Sequence, residues 1–254
     1  MWQDKLDSSL CVLGQTCNPQ QPSILLLHGA GNTAEIMRPL LDSLDKSSIN
    51  VAALNLPGRS DGESSAEHID QLSSYVAGVV AASETKPWLL GHSLGAGVAL
   101  EIARAQPELL SGVILLNAST ELPLNEGFMQ RLDEDLPKTM SGFLRKAYGP
   151  NASPQLVEEG IAMVCSLPEQ TVVNDFKACR TYKALPYLKD IKLPVLIVVG
   201  ENDIITKPAE AEMLNKELQN SKMAKISGMG HMGPAEAPDK IAHEINSFLR
   251  FIAL

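Results

Sequence analysis

The sequence predicts an α/β fold: a mostly parallel central sheet flanked by helices, with a helical lid inserted between two late strands. Three observations predict it. Short apolar runs alternate with segments whose apolar residues fall three and four apart. Those runs are nearly continuous in hydrophobicity, as strands covered on both faces are. One interval, from 121 to 188, breaks the rhythm with helical stretches alone. Strand–helix alternation implies right-handed crossovers and parallel pairing.

Taken in order, residues from about 5 to 17 supply one or two antiparallel edge strands. "SILLLHG" (23–29) and "INVAALNLPG" (49–58) follow as buried strands, separated by a helix over 34–46. A helix over 67–83 leads to "KPWLLGHS" (86–93), and a helix over 94–106 leads to "GVILLNAS" (112–119). After the interruption come "LPVLIVVG" (193–200), a helix over 207–219, "KMAKISG" (222–228) and a helix over 238–251. Each strand is too short for a buried helix and is rich in branched residues or bounded by Gly or Pro. The interruption holds "FMQRLDEDL", "MSGFLRKAYG" and "QLVEEGIAMVCS", separated by prolines and glycines. The expected organisation is a core of 1–120 and 189–254 with a lid of 121–188.

At 254 residues with 44% hydrophobic content, the chain has material for a sizeable core. Its net charge of -9 is dispersed, and such a surface repels phosphate backbones; with aromatics at only 4%, nucleic acid is excluded as a partner. Cys11, Cys17, Cys165 and Cys179 lack the tight pair spacings of structural zinc or a redox dithiol, so free thiols are expected. The first ten residues carry no basic segment followed by an apolar run, and no apolar stretch approaches the roughly 20 residues of a membrane span. The expectation is a cytoplasmic protein, monomer or homodimer.

Gly91-His92-Ser93-Leu94-Gly95 fits G-x-S-x-G at a strand end, with a helix following. A serine turned sharply between strand and helix presents its hydroxyl above the sheet, and small neighbours are needed because backbones come close there. A serine hydroxyl is a weak nucleophile, so it requires a histidine base oriented by a carboxylate. Of five histidines, His28 and His92 belong to motifs at strand ends, while His68 and His243 lie in helical segments. His231 remains, in the glycine-rich loop "SGMGHMGPAE" after the last strand, where parallel sheets build their sites. The loop after Gly200 offers Glu201 and Asp203; Asp203 has room to turn toward His231, its alternative role being to cap the helix near Pro208.

Acyl transfer also needs donors for the oxyanion. "LLLHGAGNT" (25–33) offers the amide of Ala30, and the start of the nucleophile's helix offers the amide of Leu94. A dinucleotide site is disfavoured: "GAGNTAE" lacks the third glycine of G-x-G-x-x-G, and the next strand closes with Asn55 instead of an acid. No metal or organic cofactor is required. The expected partner is a small-molecule substrate with an apolar portion. Candidate binding residues are His28, Gly29, Phe128, Met129, Met140, Phe143, Met163 and Met232, although most apolar lid residues would serve equally to pack the lid onto the body.

On these motifs the chain resembles the α/β-hydrolase superfamily, in its lid-bearing branch of small esterases, from "LLLHGAGNT" to the final helix. The order Ser93, Asp203, His231 matches that family's nucleophile, acid and base, and Ala30 and Leu94 match its oxyanion amides. The resemblance implies a serine hydrolase acting on a small or medium carboxylic ester through an acyl-enzyme. The same triad in relatives also serves carbon–carbon, thioester, lactone and amide chemistry, and some relatives keep only a ligand-binding shell. One departure stands out: where relatives often read D-x-P-G-x-G-x-S, this chain has "NLPGRSDGESS", with Asn55 in place of the acid.

Overall fold

The computed structural model describes residues 12–14, 21–60, 62–83, 85–122 and 124–252. Cys11, Cys17, the N-terminal ten residues and most of the expected edge region lie outside them. Among the described residues, seven strands form one sheet in the order β1-β3-β2-β4-β5-β6-β7: β1 (Val12–Gly14), β2 (Ser23–Leu27), β3 (Asn50–Leu54), β4 (Trp88–His92), β5 (Gly112–Leu116), β6 (Val195–Gly200) and β7 (Ser221–Ile226). β1 runs antiparallel to β3, and the other six are parallel. β2 to β6 are buried along their whole length, as their unbroken apolar runs require.

β7 departs from that pattern. It is only partly buried and exposes Lys222 and Lys225. As an edge strand it has one neighbour, and lysines there discourage pairing with another chain.

The helices are α1 (Arg38–Ser43), α2 (Ile69–Ala81), α3 (Leu94–Ala105), α4 (Glu126–Glu134), α5 (Leu136–Ala147), α6 (Pro154–Cys165), α7 (Glu169–Thr181), α8 (Pro208–Glu217), α9 (Gly233–Glu236) and α10 (Pro238–Ile252). α4 to α7 lie between β5 and β6. The side chains of Asn125, Asp135 and Ser153 accept amide hydrogens of Phe128, Lys138 and Leu156, capping α4, α5 and α6. α5 and α6 also carry proline in their first turn, where a missing N–H costs nothing. The ends of the insertion meet: Glu121 and Lys183 form an antiparallel bridge, and the Ala184 amide donates to Thr120 O at 2.8 Å.

The register fixes where chemistry can occur. Leu27 lies beside Gly91, Gly91 beside Leu115, and Leu116 beside Val198, so β2, β4, β5 and β6 end side by side. The strand order reverses between β2 and β4, the crevice where open α/β sheets place ligands.

Candidate active site

β4 ends at His92, and Ser93 turns the chain into α3 with φ 52° and ψ -114°, left-handed backbone that a non-glycine residue rarely adopts. The turn is possible because its neighbours are glycines. A Cβ on Gly91 would sit 2.1 Å from Gly95 O, and one on Gly95 would sit 2.7 Å from Leu27 O. The Ser93 amide is tied to Leu116 O at 3.0 Å, which holds the elbow against the next strand.

Ser93, His231 and Asp203 meet. Ser93 Oγ lies 3.0 Å from His231 Nε2, and His231 Nδ1 lies 2.8 Å from Asp203 Oδ2. Asp203 is 2% exposed, so its charge depends on donors. Oδ2 accepts from His231 Nδ1, from Thr206 Oγ1 at 2.6 Å and from Asn117 Nδ2 at 2.8 Å; Oδ1 accepts the amides of Ile205 and Thr206. Burial pushes its pKa up, but the His231 ring and the side-chain donors outweigh it and bring the carboxyl down to about 2. The ionised form is held at neutral pH, which favours the tautomer with the proton on His231 Nδ1 and a lone pair on Nε2 facing Ser93. Glu201, the rival carboxylate, is exposed, as are His68 and His243.

The loop carrying His231 is held on several sides. Its amide donates to Ala147 O at 2.7 Å, and its carbonyl accepts from His92 Nε2 at 2.7 Å. Burial, then the neighbouring His231, depress His92 to about 3, so His92 stays neutral as a donor through Nε2. Glu236 accepts the amides of Gly230, Met232 and Gly149, bracketing His231. Sequence reasoning missed Asn117, Thr206 and Glu236. Asn117 left one signal, an asparagine at a strand end, a residue type that tolerates its φ of 49°.

The segment after β2 faces the elbow. A Cβ on Gly29 would meet Ser93 Cβ at 3.2 Å, and the side chain of Asn32 donates to Ala30 O at 2.9 Å. Leu94 opens α3, where its amide has no intrahelical acceptor. Asn55 donates nothing to the site directly; its Oδ1 accepts the Ala34 amide at 2.6 Å, a task an acid could also perform.

Above Ser93 lies a cavity of about 60 Å³ lined by Gly29, Ala30, Asn32, His92, Ser93, Leu122, Leu124, Phe143, Leu144, Phe176, Cys179, Ile205, His231 and Met232. Of the candidate binding residues, Gly29, Phe143 and Met232 line it. The other five do not. His28 is fully buried, donating through Nδ1 to Gly29 O and accepting the Leu56 amide at Nε2; burial and then Arg59 push its pKa well down, so it braces two strand ends as a neutral ring. Met129 and Met140 are buried in the packing beneath the insertion. Met163 reaches the Thr33 hydroxyl instead, and Phe128 packs behind the wall, its ring 5.7 Å from Phe143 and 5.1 Å from Phe176. Leu122, Phe176 and Cys179 were missed because they face the cavity only through the path of α7 and the segment before α4.

Among the described residues no three His, Cys, Asp or Glu side chains group as metal ligands, and no helix is long and apolar enough to cross a membrane. Cys165 is exposed and Cys179 buried, both free.

Residues 24–244 match the model of the Alpha/beta hydrolase family. A pimeloyl-[acyl-carrier protein] methyl ester esterase from Serratia marcescens is 26% identical over 250 residues, covering 92% of this chain and 96% of its own. Among solved structures, a thermophilic esterase from Thermogutta terrifontis aligns with TM-score 0.83 at 21% identity, over 96% of this chain and 93% of its own. An enol-lactonase from Burkholderia xenovorans aligns with TM-score 0.85 at 15% identity, over 96% of this chain and 98% of its own.

Proposed function

The chain belongs to the alpha/beta hydrolase family, and from that premise we propose that it is a serine hydrolase that cleaves a small carboxylic ester through an acyl-enzyme on Ser93. The observation that carries this reading is the continuous relay from Ser93 Oγ to His231 Nε2 at 3.0 Å and from His231 Nδ1 to Asp203 at 2.8 Å.

In this mechanism His231 takes the proton of Ser93 as its oxygen attacks the ester carbonyl. Asp203 stabilises the imidazolium, and Asn117 and Thr206 keep Asp203 ionised and aimed. The amides of Ala30 and Leu94 receive the oxyanion, Leu94 with the help of the α3 dipole. His231 then returns the proton to the departing alcohol. Water, activated by the same ring, releases the acid.

Helices α4–α7 act as the lid, residues 121–188, over the core of 1–120 and 189–254. Leu122, Leu124, Phe143, Leu144 and Phe176 give the cavity an apolar wall that suits an alkyl or acyl group. A cavity of only about 60 Å³ supports a short bound portion. The Serratia relative, a pimeloyl-[acyl-carrier protein] methyl ester esterase, agrees with a compact alcohol moiety.

A fluorophosphonate probe and a panel of p-nitrophenyl esters of rising acyl length test this reading together. The expected result is labelling at Ser93 and turnover greatest for short acyl chains. Absence of labelling, or turnover of thioesters or lactones without any ester turnover, overturns it.

A further inference from the structure

The loop that departs from the common pattern supplies a buried ion pair. Arg59, from "PGRSD" after β3, pairs through Nη2 with Oδ2 of Asp175 on α7, and both side chains are 1% exposed. The same Asp175 oxygen accepts the Gly31 amide at 2.8 Å. Arg59 reaches further, donating through Nε to Asn32 O at 3.1 Å and through Nη1 to Pro57 O at 2.7 Å. Three segments distant in sequence thus converge on one carboxylate: the loop after β2, the loop after β3, and a helix of the insertion.

The consequence for Ala30 follows from peptide geometry. Its N–H lies in the peptide plane whose carbonyl, Gly29 O, accepts from His28 Nδ1 at 2.9 Å. The next plane carries Ala30 O, held by Asn32 at 2.9 Å, and the Gly31 N–H, held by Asp175. Peptide planes are rigid, so fixing both leaves little freedom at Ala30. Gly31 adopts φ +65°, and a Cβ there would meet Val164 of α6 at 2.8 Å, so the insertion shapes this loop by contact as well. Among the described residues Asp175 Oδ1 has no hydrogen-bond partner, and Oδ2 serves both Arg59 and the Gly31 amide.

We infer that Asp175 and Arg59 are positioning residues: they latch α7 to the loop after β2 and aim the Ala30 amide at the oxyanion. The inference rests on the acyl-transfer reading above. A mere tether between α7 and the core would need the pair's packing but not its bond to Gly31.

The double variant Arg59→Met/Asp175→Leu separates the two roles, since paired apolar replacements commonly preserve stability while deleting the Gly31 acceptor. The expected result is a melting temperature close to that of the unsubstituted protein, kcat on a short p-nitrophenyl ester lowered about 10-fold or more with KM little changed, and faster hydrogen exchange over residues 29–33. A kcat within about twofold and unchanged exchange would overturn the latch. If the double variant fails to fold, Asp175→Asn against Asp175→Ala decides: the asparagine oxygen can keep the Gly31 bond, so it should hold kcat well above the alanine variant, and equal losses overturn the inference. An unsubstituted protein without turnover or Ser93 labelling sinks the acyl-transfer reading instead, and exchange at Gly31 still tests the latch.

Discussion

Asp203→Asn gives the sharpest test of the relay, because the substitution keeps shape and changes only the charge and the hydrogen-bond logic. Five donors converge on the carboxylate: His231 Nδ1, Thr206 Oγ1 and Asn117 Nδ2 on Oδ2, and two backbone amides on Oδ1. An asparagine must turn its NH2 toward one set. The backbone amides cannot adjust, so the NH2 faces Oδ2's partners, and His231 must accept at Nδ1 and carry its proton on Nε2. In that tautomer it cannot receive the proton of Ser93, and the loss for such a change in serine proteases is about 10⁴-fold in kcat.

Stability falls in step. A carboxyl brought from an ordinary value near 4 to about 2 contributes about 2 kcal/mol. Because the folded-state pKa is the lower one, this contribution is complete above about pH 4 and is lost as pH falls toward 2; the variant lacks it throughout. For a chain of this size a loss of about 2 kcal/mol lowers the melting temperature by roughly 4–8 °C near neutral pH. Ester hydrolysis and thermal melts, with the exposed Glu201→Gln as control, measure both effects. An Asp203→Asn enzyme within tenfold of the unsubstituted one, or a Glu201→Gln enzyme equally impaired, refutes the assignment of the acid.

Two further outcomes follow from the site. Ser93→Gly should abolish fluorophosphonate labelling yet raise the melting temperature by a few degrees, since glycine relieves a φ of 52° that costs on the order of 1–3 kcal/mol; a lower melting temperature would show that the elbow is unstrained. Phe143→Ala opens the wall between the cavity and the outer cleft beside Phe128, so the preferred p-nitrophenyl ester should lengthen by about two carbons or more; an unchanged acyl-length profile would place the acyl group elsewhere.

The sheet was legible because β2 to β6 are covered on both faces and must be largely apolar, which leaves a signal in runs such as 24–27 and 195–199. Ser93 was legible because its glycines answer to backbone contacts of 2.1 and 2.7 Å, and His231 and Asp203 because each follows a strand ending at the same edge. Asn117, Thr206 and Glu236 left weaker traces, since one polar side chain in a loop carries no period. α7 was harder still: "EQTVVNDFKACRT" mixes β-branched residues with Asn and Asp, poor helix formers. It is helical because Val172, Phe176 and Cys179 are buried against the body, a tertiary cause that local pattern does not record. The binding residues chosen from the insertion by apolarity alone scattered for the same reason, as apolar side chains pack a helix as readily as they line a cavity.

The stitch between Glu121 and Lys183 means the chain leaves the sheet and re-enters it through a single doorway. Everything between is an excursion that the pairing of β5 and β6 does not require, so its length and sequence are free to drift wherever the site does not lean on it, as it does where Ala147 O holds the His231 amide. Arg59 sets a limit on that freedom. A foreign insertion grafted at this doorway inherits the sheet intact, but it must bring a carbonyl to the place of Ala147 O and a carboxylate to the place of Asp175, or leave the His231 loop untied and a guanidinium stranded in the dark.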